Sequence, residues 1–400
     1  MRSEIVKSIF REYYEKYFNP KEEDIGNIKL REFALVPFDS PDIMIRHLSF
    51  HTFKEIKQYV MKNTPLHLYY STAYYKTPEA RNMDEKGWLG ADLVFDIDVD
   101  HIPTECKKEH DTWRCLDCGT HGKGMPPEKC PRCGSARIDR EVWVCNKCLR
   151  VAIDETMRLI EEFICDDLGI SRSDVKVYFS GHRGFHIHIE DERTRKLDQD
   201  ARREIVDYIK GIGIRVELLN PLPKMNEYGW RGTIAQGIYE ILMTLRDDYR
   251  PSDLTQREIE YLINKRSMLV RALEEGSIDV RIPKSLLTKL VKEVISKKSV
   301  DIDERVTTDT KRLIRFPESL HGKTGLKVTE VNLSVLTDFD PFSDASWLNS
   351  SIKLKVTGNI PKIKLGNVEL NTTPGDIIVL PASVALYIVM RGKGEVIEVL

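Results

Sequence analysis

Apolar residues at Ile5, Ile9, Phe10, Tyr13 and Tyr17 recur at the spacing of one helical face, and Asn19-Pro20 stops the pattern, so a packing helix is predicted over 5–18. Between 28 and 75, short extended runs (REFALVPF, MIRHLSF, HLYYSTAYY) surround one helix-like stretch, 52–62; strands and helices interleave there. In ADLVFDIDVD the period drops to two. Leu93, Phe95, Ile97 and Val99 alternate with Asp92, Val94, Asp96, Asp98 and Asp100, which predicts a strand with one oily and one acidic face. Helical period returns over 151–168, and DVKVYFSGHRGFHIHIE reads as two alternating strands around a tight Ser-Gly-His-Arg-Gly turn. From 195 to 298 polar helical patterns dominate, suggesting a helical subdomain. A strand-like pattern resumes over 300–339, and 352–400 reads as β-rich, with turn signals at Thr357-Gly358-Asn359 and Pro374-Gly375-Asp376. Internal repeats and low-complexity tracts are absent.

Composition narrows the classes. A chain of 400 residues, 41% hydrophobic and 31% charged, has apolar surface for a sizeable core and the length of two or three folding units. Nothing approaches the roughly 20 apolar residues of a membrane span, and MRSEIVKSIF alternates charge with hydrophobes, so a cytoplasmic protein without membrane contact is expected. The net charge of −2 gives no global positive field, so a nucleic-acid site must be local. Seven of the eight cysteines fall within 101–150, six of them in CxxC pairs, and that reads as metal ligation rather than a disulfide scaffold.

The acidic strand carries the sharpest chemistry. Residues i and i+2 project from one strand face, so Asp96 and Asp98 present carboxylates about 6–7 Å apart at Cα, near enough to converge on hard cations. Like charges held so close either raise each other's pKa or bind a divalent ion; the bland alternative is a solvated acidic edge. A two-metal phosphoryl-transfer site calls for a third carboxylate, and SVDIDERV offers both Asp301 and Asp303, between which spacing does not choose. The SGHRG turn suggests a phosphate cradle: its glycines let backbone N–H groups approach, Ser180 adds a hydroxyl, Arg183 a bidentate fork, and alternation sets His186 and His188 opposite Phe185, Ile187 and Ile189. An ordinary hairpin with solvated histidines fits the same letters. The cluster Lys311, Arg312, Arg315, His321 and Lys323 divides equally between phosphate contact and solvated face. Of Tyr69, Tyr70, Tyr74 and Tyr75, alternate members are expected in the core and the others to be available for base stacking.

LVFDIDVD, YFSGHRGFHIHI and IDERVTTDTKRLIRFPESLHGKTGL together resemble, in order, the three signature blocks of the catalytic small subunit of archaeal and eukaryotic DNA primases, with an archaeal layout. The resemblance covers about 28–105, 145–195 and 300–342. It implies metal-binding catalytic carboxylates at Asp96, Asp98 and, in preference to Asp301, Asp303. It implies nucleotide contacts at Arg31, Ser180, Gly181, Arg183, His186, Arg315 and His321. His182 stands where an arginine is often found. The resemblance also assigns CNKC (Cys145, Cys148) to a zinc knuckle whose other ligands would be Cys106 and His110. CLDCG and CPRCG (Cys115, Cys118, Cys130, Cys133) would then form an inserted ribbon with a second zinc. A single zinc shared between pairs is the alternative, whereas thiolates with no metal at all would repel one another.

The implied fold is an α+β primase-type core of mixed or antiparallel sheets flanked by helices. It divides into core segments 1–104, 149–195 and 300–345, a zinc-binding insertion 105–148, a helical subdomain 196–299 and a small β-rich domain 346–400. The implied activity is template-directed primer synthesis on single-stranded DNA from NTP or dNTP with two Mg²⁺ or Mn²⁺ ions, in company with a larger regulatory subunit, and with other replisome proteins docking on the C-terminal domain. The competing readings are a gap-filling or repair polymerase of the same superfamily and a non-catalytic zinc-ribbon nucleic-acid-binding module.

Overall fold

The alternating runs pair into two four-stranded antiparallel sheets. The first has the order Leu313–Arg315, Pro65–Ser71, Phe33–Pro37, Ile45–Leu48; the second Thr329–Glu330, Val175–Phe179, Gly184–Ile189, Leu93–Asp98. The computed structural model describes residues 4–22, 25–245, 253–276 and 280–400.

Register decides what each face of the second sheet carries. Asp98 stands opposite Gly184, Asp96 opposite His186 and Val94 opposite His188, so acids and histidines share one face. Leu93, Phe95, Ile97, Phe185, Ile187 and Ile189 share the other, and all six are fully buried. The strand Gly184–Ile189 is thus buried on both sides. The Tyr70 hydroxyl lies 3.2 Å from His188 Nδ1 and ties the first sheet to the polar face of the second.

The expected helices form at Glu4–Lys16 and Phe53–Asn63, the latter capped by the Thr52 hydroxyl, which accepts from the Glu55 N–H. By compactness the chain divides into two units: Met1–Thr156, Ser173–Gln199 and Ile302–Leu400 form one, Met157–Arg172 and Asp200–Asp301 the other. The second unit is helical, as its polar periodicity predicts. Its longer helices are Gln199–Ile209, Gly229–Thr244, Gln256–Glu275 and Lys284–Lys298, and Thr255 with Glu258 closes a reciprocal capping box.

Within the first unit, residues 105–148 build a short helix, Lys107–His110, and a three-stranded sheet in the order His121–Lys123, Thr112–Cys115, Ile138–Glu141. The C-terminal segment centres on Ser351–Val356, flanked by Ile377–Pro381 and Gly394–Val399.

Two elements depart from the sequence pattern. Ala382–Met390 is a helix inside the stretch read as β-rich. Apolar on every side, it offers no period to read, and eight of its nine residues are buried; packing overrides its β-branched content. The stretch 300–339 is mostly turns around a short helix, Glu304–Thr308, and two brief strands, because the Asp303 carboxylate caps that helix by accepting from the Arg305 N–H at 2.9 Å. No helix among the described residues is long and apolar enough to cross a membrane.

Candidate active site and metal centres

The polar face of the second sheet lines a cleft of about 310 Å³. Asp96 and Asp98 enter it from the strand Leu93–Asp98, and Ser180, His182 and Arg183 from the turn. Tyr69 and Arg315, paired across the first sheet, supply the opposite wall with Arg312, His321 and Lys323. Asp303 lies beside the acid pair: its backbone N–H donates to the Asp96 carbonyl oxygen at 2.9 Å. Asp301 is exposed. Burial pushes the Asp96 carboxyl up to about 7, and the negative charges of Asp98 and Asp303 push the same way. Two carboxylates on one strand and a third more than two hundred positions further along the chain therefore feel one another.

The turn is shaped by two glycines. Gly181 has φ +77°, in the left-handed region, and a Cβ there would meet the His321 Cβ at 2.8 Å. At Gly184 a Cβ would fall 2.0 Å from the Ile97 carbonyl oxygen, so the acidic strand and the turn approach this closely only across glycine. Arg183, delivered by the turn, donates from Nε to Asp98 at 2.9 Å and from a terminal nitrogen to Asp100 at 2.5 Å.

His186 Nε2 lies 3.8 Å from Asp96 Oδ1, while its Nδ1 is buried without a hydrogen-bond partner. Burial, then the charges of neighbouring His188, Arg315 and Arg312, hold its imidazole well below the ordinary histidine value. His321 is depressed in the same way, by burial first and then Arg315. Its Nδ1 accepts from the Lys323 N–H at 3.2 Å, which leaves its proton on Nε2. The His182 ring stacks on His321 at 4.7 Å, and His67, which meets the His321 ring edge-on at 5.0 Å, accepts at Nδ1 from Arg315 and from the Gly322 N–H. A neutral histidine layer thus backs the cationic wall.

Arg31 is not part of this cleft. It is 1% exposed, and its five N–H donors are all taken: by the carbonyls of Gly26, Ser71 and Thr72, by the Tyr74 hydroxyl, and by Asp92 at 2.7 Å. Nothing is left for a phosphate, and a buried structural ion pair replaces the expected nucleotide contact. His188 likewise faces Tyr70 in the interior. Of the tyrosines, Tyr69 reaches the cleft while Tyr70, Tyr74 and Tyr75 are core. The sequence flagged Arg312 and Lys323 only as members of a basic run, and carried no signal for His67.

The seven clustered cysteines and His110 form two four-ligand sets. Cys106, His110, Cys145 and Cys148 offer atoms within 4.8 Å of one another, and so do Cys115, Cys118, Cys130 and Cys133. In the first, Cys148 Sγ lies 3.3 Å from Cys106 Sγ and 3.4 Å from His110 Nε2. His110 Nδ1 meets Asp111 Oδ1 at 2.8 Å, the outer partner that aims a ligating imidazole. The second set rests on two matching turns. Gly119 and Gly134, at φ +73° and +74°, donate back to the Cys115 and Cys130 carbonyls at 3.0 and 2.9 Å.

With this geometry in place, the comparisons with known proteins fall into one group. The chain is 32% identical to the DNA primase small subunit PriS of Methanococcoides burtonii over 98% of its own length and 97% of that protein. The chain belongs to the DNA primase small subunit family. The corresponding protein of Saccharolobus solfataricus is 33% identical over 99% and 96% of the two lengths, and that of Thermoplasma volcanium 30% identical over 99% of each. The pattern that defines DNA primase small subunits matches residues 137–333, which contain the SGHRG turn, Asp303, Arg315 and His321. The acidic strand and most of the cysteines lie before it, inside the span shared with the relatives.

Proposed function

We propose that the cleft carries out the nucleotidyl transfer of a primase, joining NTPs or dNTPs on a single-stranded DNA template. One observation carries the reading above all. Asp303 is hydrogen-bonded to the backbone of Asp96, and burial, with the charges of Asp98 and Asp303 added, holds the Asp96 carboxyl near 7. Such a set of hard oxygen donors is stable at neutral pH with a divalent cation among them, so the residues fit Mg²⁺ or Mn²⁺. Two such ions, when bound, lower the pKa of a 3′-hydroxyl and neutralise charge on the departing pyrophosphate.

The chain's own side chains do the rest. Arg183, Arg315 and Lys323 present positive charge to the triphosphate, with Ser180 beside them and Gly181, packed against His321, in the same turn. His186 and His321, kept neutral by burial, donate Nε2–H to phosphate oxygens without adding charge. Tyr69 offers a face for a base.

Both cysteine sets match the tetrahedral thiolate and imidazole chemistry of structural zinc, and we assign one Zn²⁺ to each. The domain division proposed with this reading is a core of 1–104, 149–195 and 300–345, with insertion 105–148, helical subdomain 196–299 and C-terminal domain 346–400, save that Met157–Arg172 groups by compactness with the helical unit. A large regulatory subunit is the expected partner. Exposed Ile377, Val379 and Val399 on the outer strands of the C-terminal sheet support docking of a replisome protein there.

Primer synthesis on single-stranded DNA, with and without divalent metal, tests the reading. Wild type is expected to make short oligomers from template and nucleotides alone, and Asp303→Ala none. Oligomers from Asp303→Ala at the wild-type rate would overturn it, and strict dependence on a supplied primer would favour the gap-filling polymerase.

A further inference from the structure

A second cavity of about 570 Å³ shares a wall with the cleft, and His182, Arg183 and Lys323 line both. Its far side comes from Arg140, on the last strand of the cysteine insertion, and from Arg391 and Lys393, just past the C-terminal helix. Five cationic side chains here face three carboxylates. Arg183 is held by Asp98 and Asp100, Arg140 lies 3.5 Å from Asp100, and Lys393 lies 2.9 Å from Glu141. Lys323 and Arg391 have no ion pair among the described residues. The Nε atoms of Arg140 and Arg391 are buried without a partner.

Arg391 is also fixed in place. Its guanidinium lies 4.6 Å from the Trp143 ring centre and 4.8 Å from that of Tyr387. A planar fork oriented by two rings and lacking an acid is preorganised for an oxyanion. The wall it shares with the cleft carries Arg183 and Lys323, the groups assigned above to the triphosphate, so a bound polyphosphate abuts this cavity. Beyond it, Asp139, Glu141 and Lys393 also border a cavity of about 1060 Å³ between the insertion and the C-terminal segment, which continues the path outward.

We propose that the second cavity receives the pyrophosphate released in nucleotidyl transfer, with Arg391 as its main contact; the inference rests on the reading of the cleft given above. As the 3′-oxygen bonds to the α-phosphorus, the bond from that phosphorus to the bridging oxygen breaks. The electron pair leaves on pyrophosphate, and the hydroxyl proton passes to solvent. Pyrophosphate then moves past Arg183 and Lys323 onto Arg391.

The test is product inhibition by pyrophosphate, and pyrophosphorolysis, in the full chain extending a 5′-hydroxyl primer on a DNA template. Arg391→Gln is expected to weaken inhibition and slow pyrophosphorolysis about tenfold, the scale of one charge-assisted contact, with the nucleotide KM changed less than about twofold. Arg391→Lys keeps the charge without the fork and is expected to lose about threefold, which keeps the test readable if the glutamine variant fails to fold. Unaltered inhibition in a folded variant would overturn the proposal. So would an effect confined to synthesis begun from two free triphosphates, because the cavity would then serve the 5′-triphosphate of the initiating nucleotide. Failure of wild type to incorporate nucleotides at all would instead overturn the reading of the cleft.

Discussion

The acidic cleft and the cysteine insertion both gather charge-bearing ligands, yet they are held together in opposite ways. Asp96 and Asp98 stand on a sheet whose apolar face is fully buried, and Asp303 is tied to that strand by its backbone, so the scaffold exists first and brings the acids together against their own repulsion. The insertion has a three-stranded sheet with mostly half-exposed strands, and its thiols lie within 42 positions of one another. There the ligand set is the core. The contrast to test is one of causality: in the cleft the fold imposes the site, whereas zinc at the two proposed sets would let the site impose the fold of the insertion.

Four changes sharpen or break this contrast. The largest effect is expected from Asp303→Ala, which removes one of three carboxylates: incorporation should fall by on the order of 10²–10³ or more, while thermal unfolding of the zinc-loaded protein without Mg²⁺ or Mn²⁺ changes little, since a charge that repels Asp96 and the cap of the helix Glu304–Thr308 are lost together. Cys148→Ala should do the reverse. It removes a ligand from the first set, so metal analysis should show one ion lost and the other kept, and exchange protection should fall over 105–148 while both four-stranded sheets persist. Loss of protection in the sheets would break the contrast.

Gly184→Ala should cost about 1–3 kcal/mol in denaturant unfolding, the scale of overpacking, because a Cβ there meets the Ile97 carbonyl oxygen at 2.0 Å. The last effect concerns pH. Asp96 takes its proton near 7 when folded and near 3.8 as a free side chain, so between those values this group binds more protons in the folded chain than in the unfolded one. The buried histidines, held low, make stability rise with pH over the same window, so the Asp96 contribution is read against Asp96→Asn: in zinc-loaded protein without Mg²⁺ or Mn²⁺ the stability of wild type should rise less steeply than that of the variant, by about 1.4 kcal/mol per pH unit at most, and added Mn²⁺ should abolish the difference. Equal slopes in wild type and Asp96→Asn would contradict the cluster.

What the sequence disclosed depended on how locally each feature was encoded. Period-two alternation sufficed for Asp96, Asp98 and the SGHRG strands, because strand geometry alone puts those side chains on one face. Asp303 was separable from Asp301 only through resemblance, since nothing local announces a hydrogen bond to a strand two hundred residues away. Arg31 failed for the converse reason: its partner Asp92 is 61 positions on, and a lone arginine beside a strand gives no sign that it is buried. The helix Ala382–Met390 was hidden by apolarity on every side, and His67 and His182 entered the site through packing against His321, which no pattern records.

The most direct measurement is a Mn²⁺ titration of the zinc-loaded chain, followed by calorimetry in buffers of different ionisation enthalpy at pH 6.5, for wild type and Asp303→Asn. Wild type is expected to bind Mn²⁺ with release of protons, as Asp96 gives up its own, and Asp303→Asn to bind at least about tenfold more weakly. Equal affinity in the two proteins, with no proton released by wild type, would contradict the convergence of the three carboxylates on which the account stands.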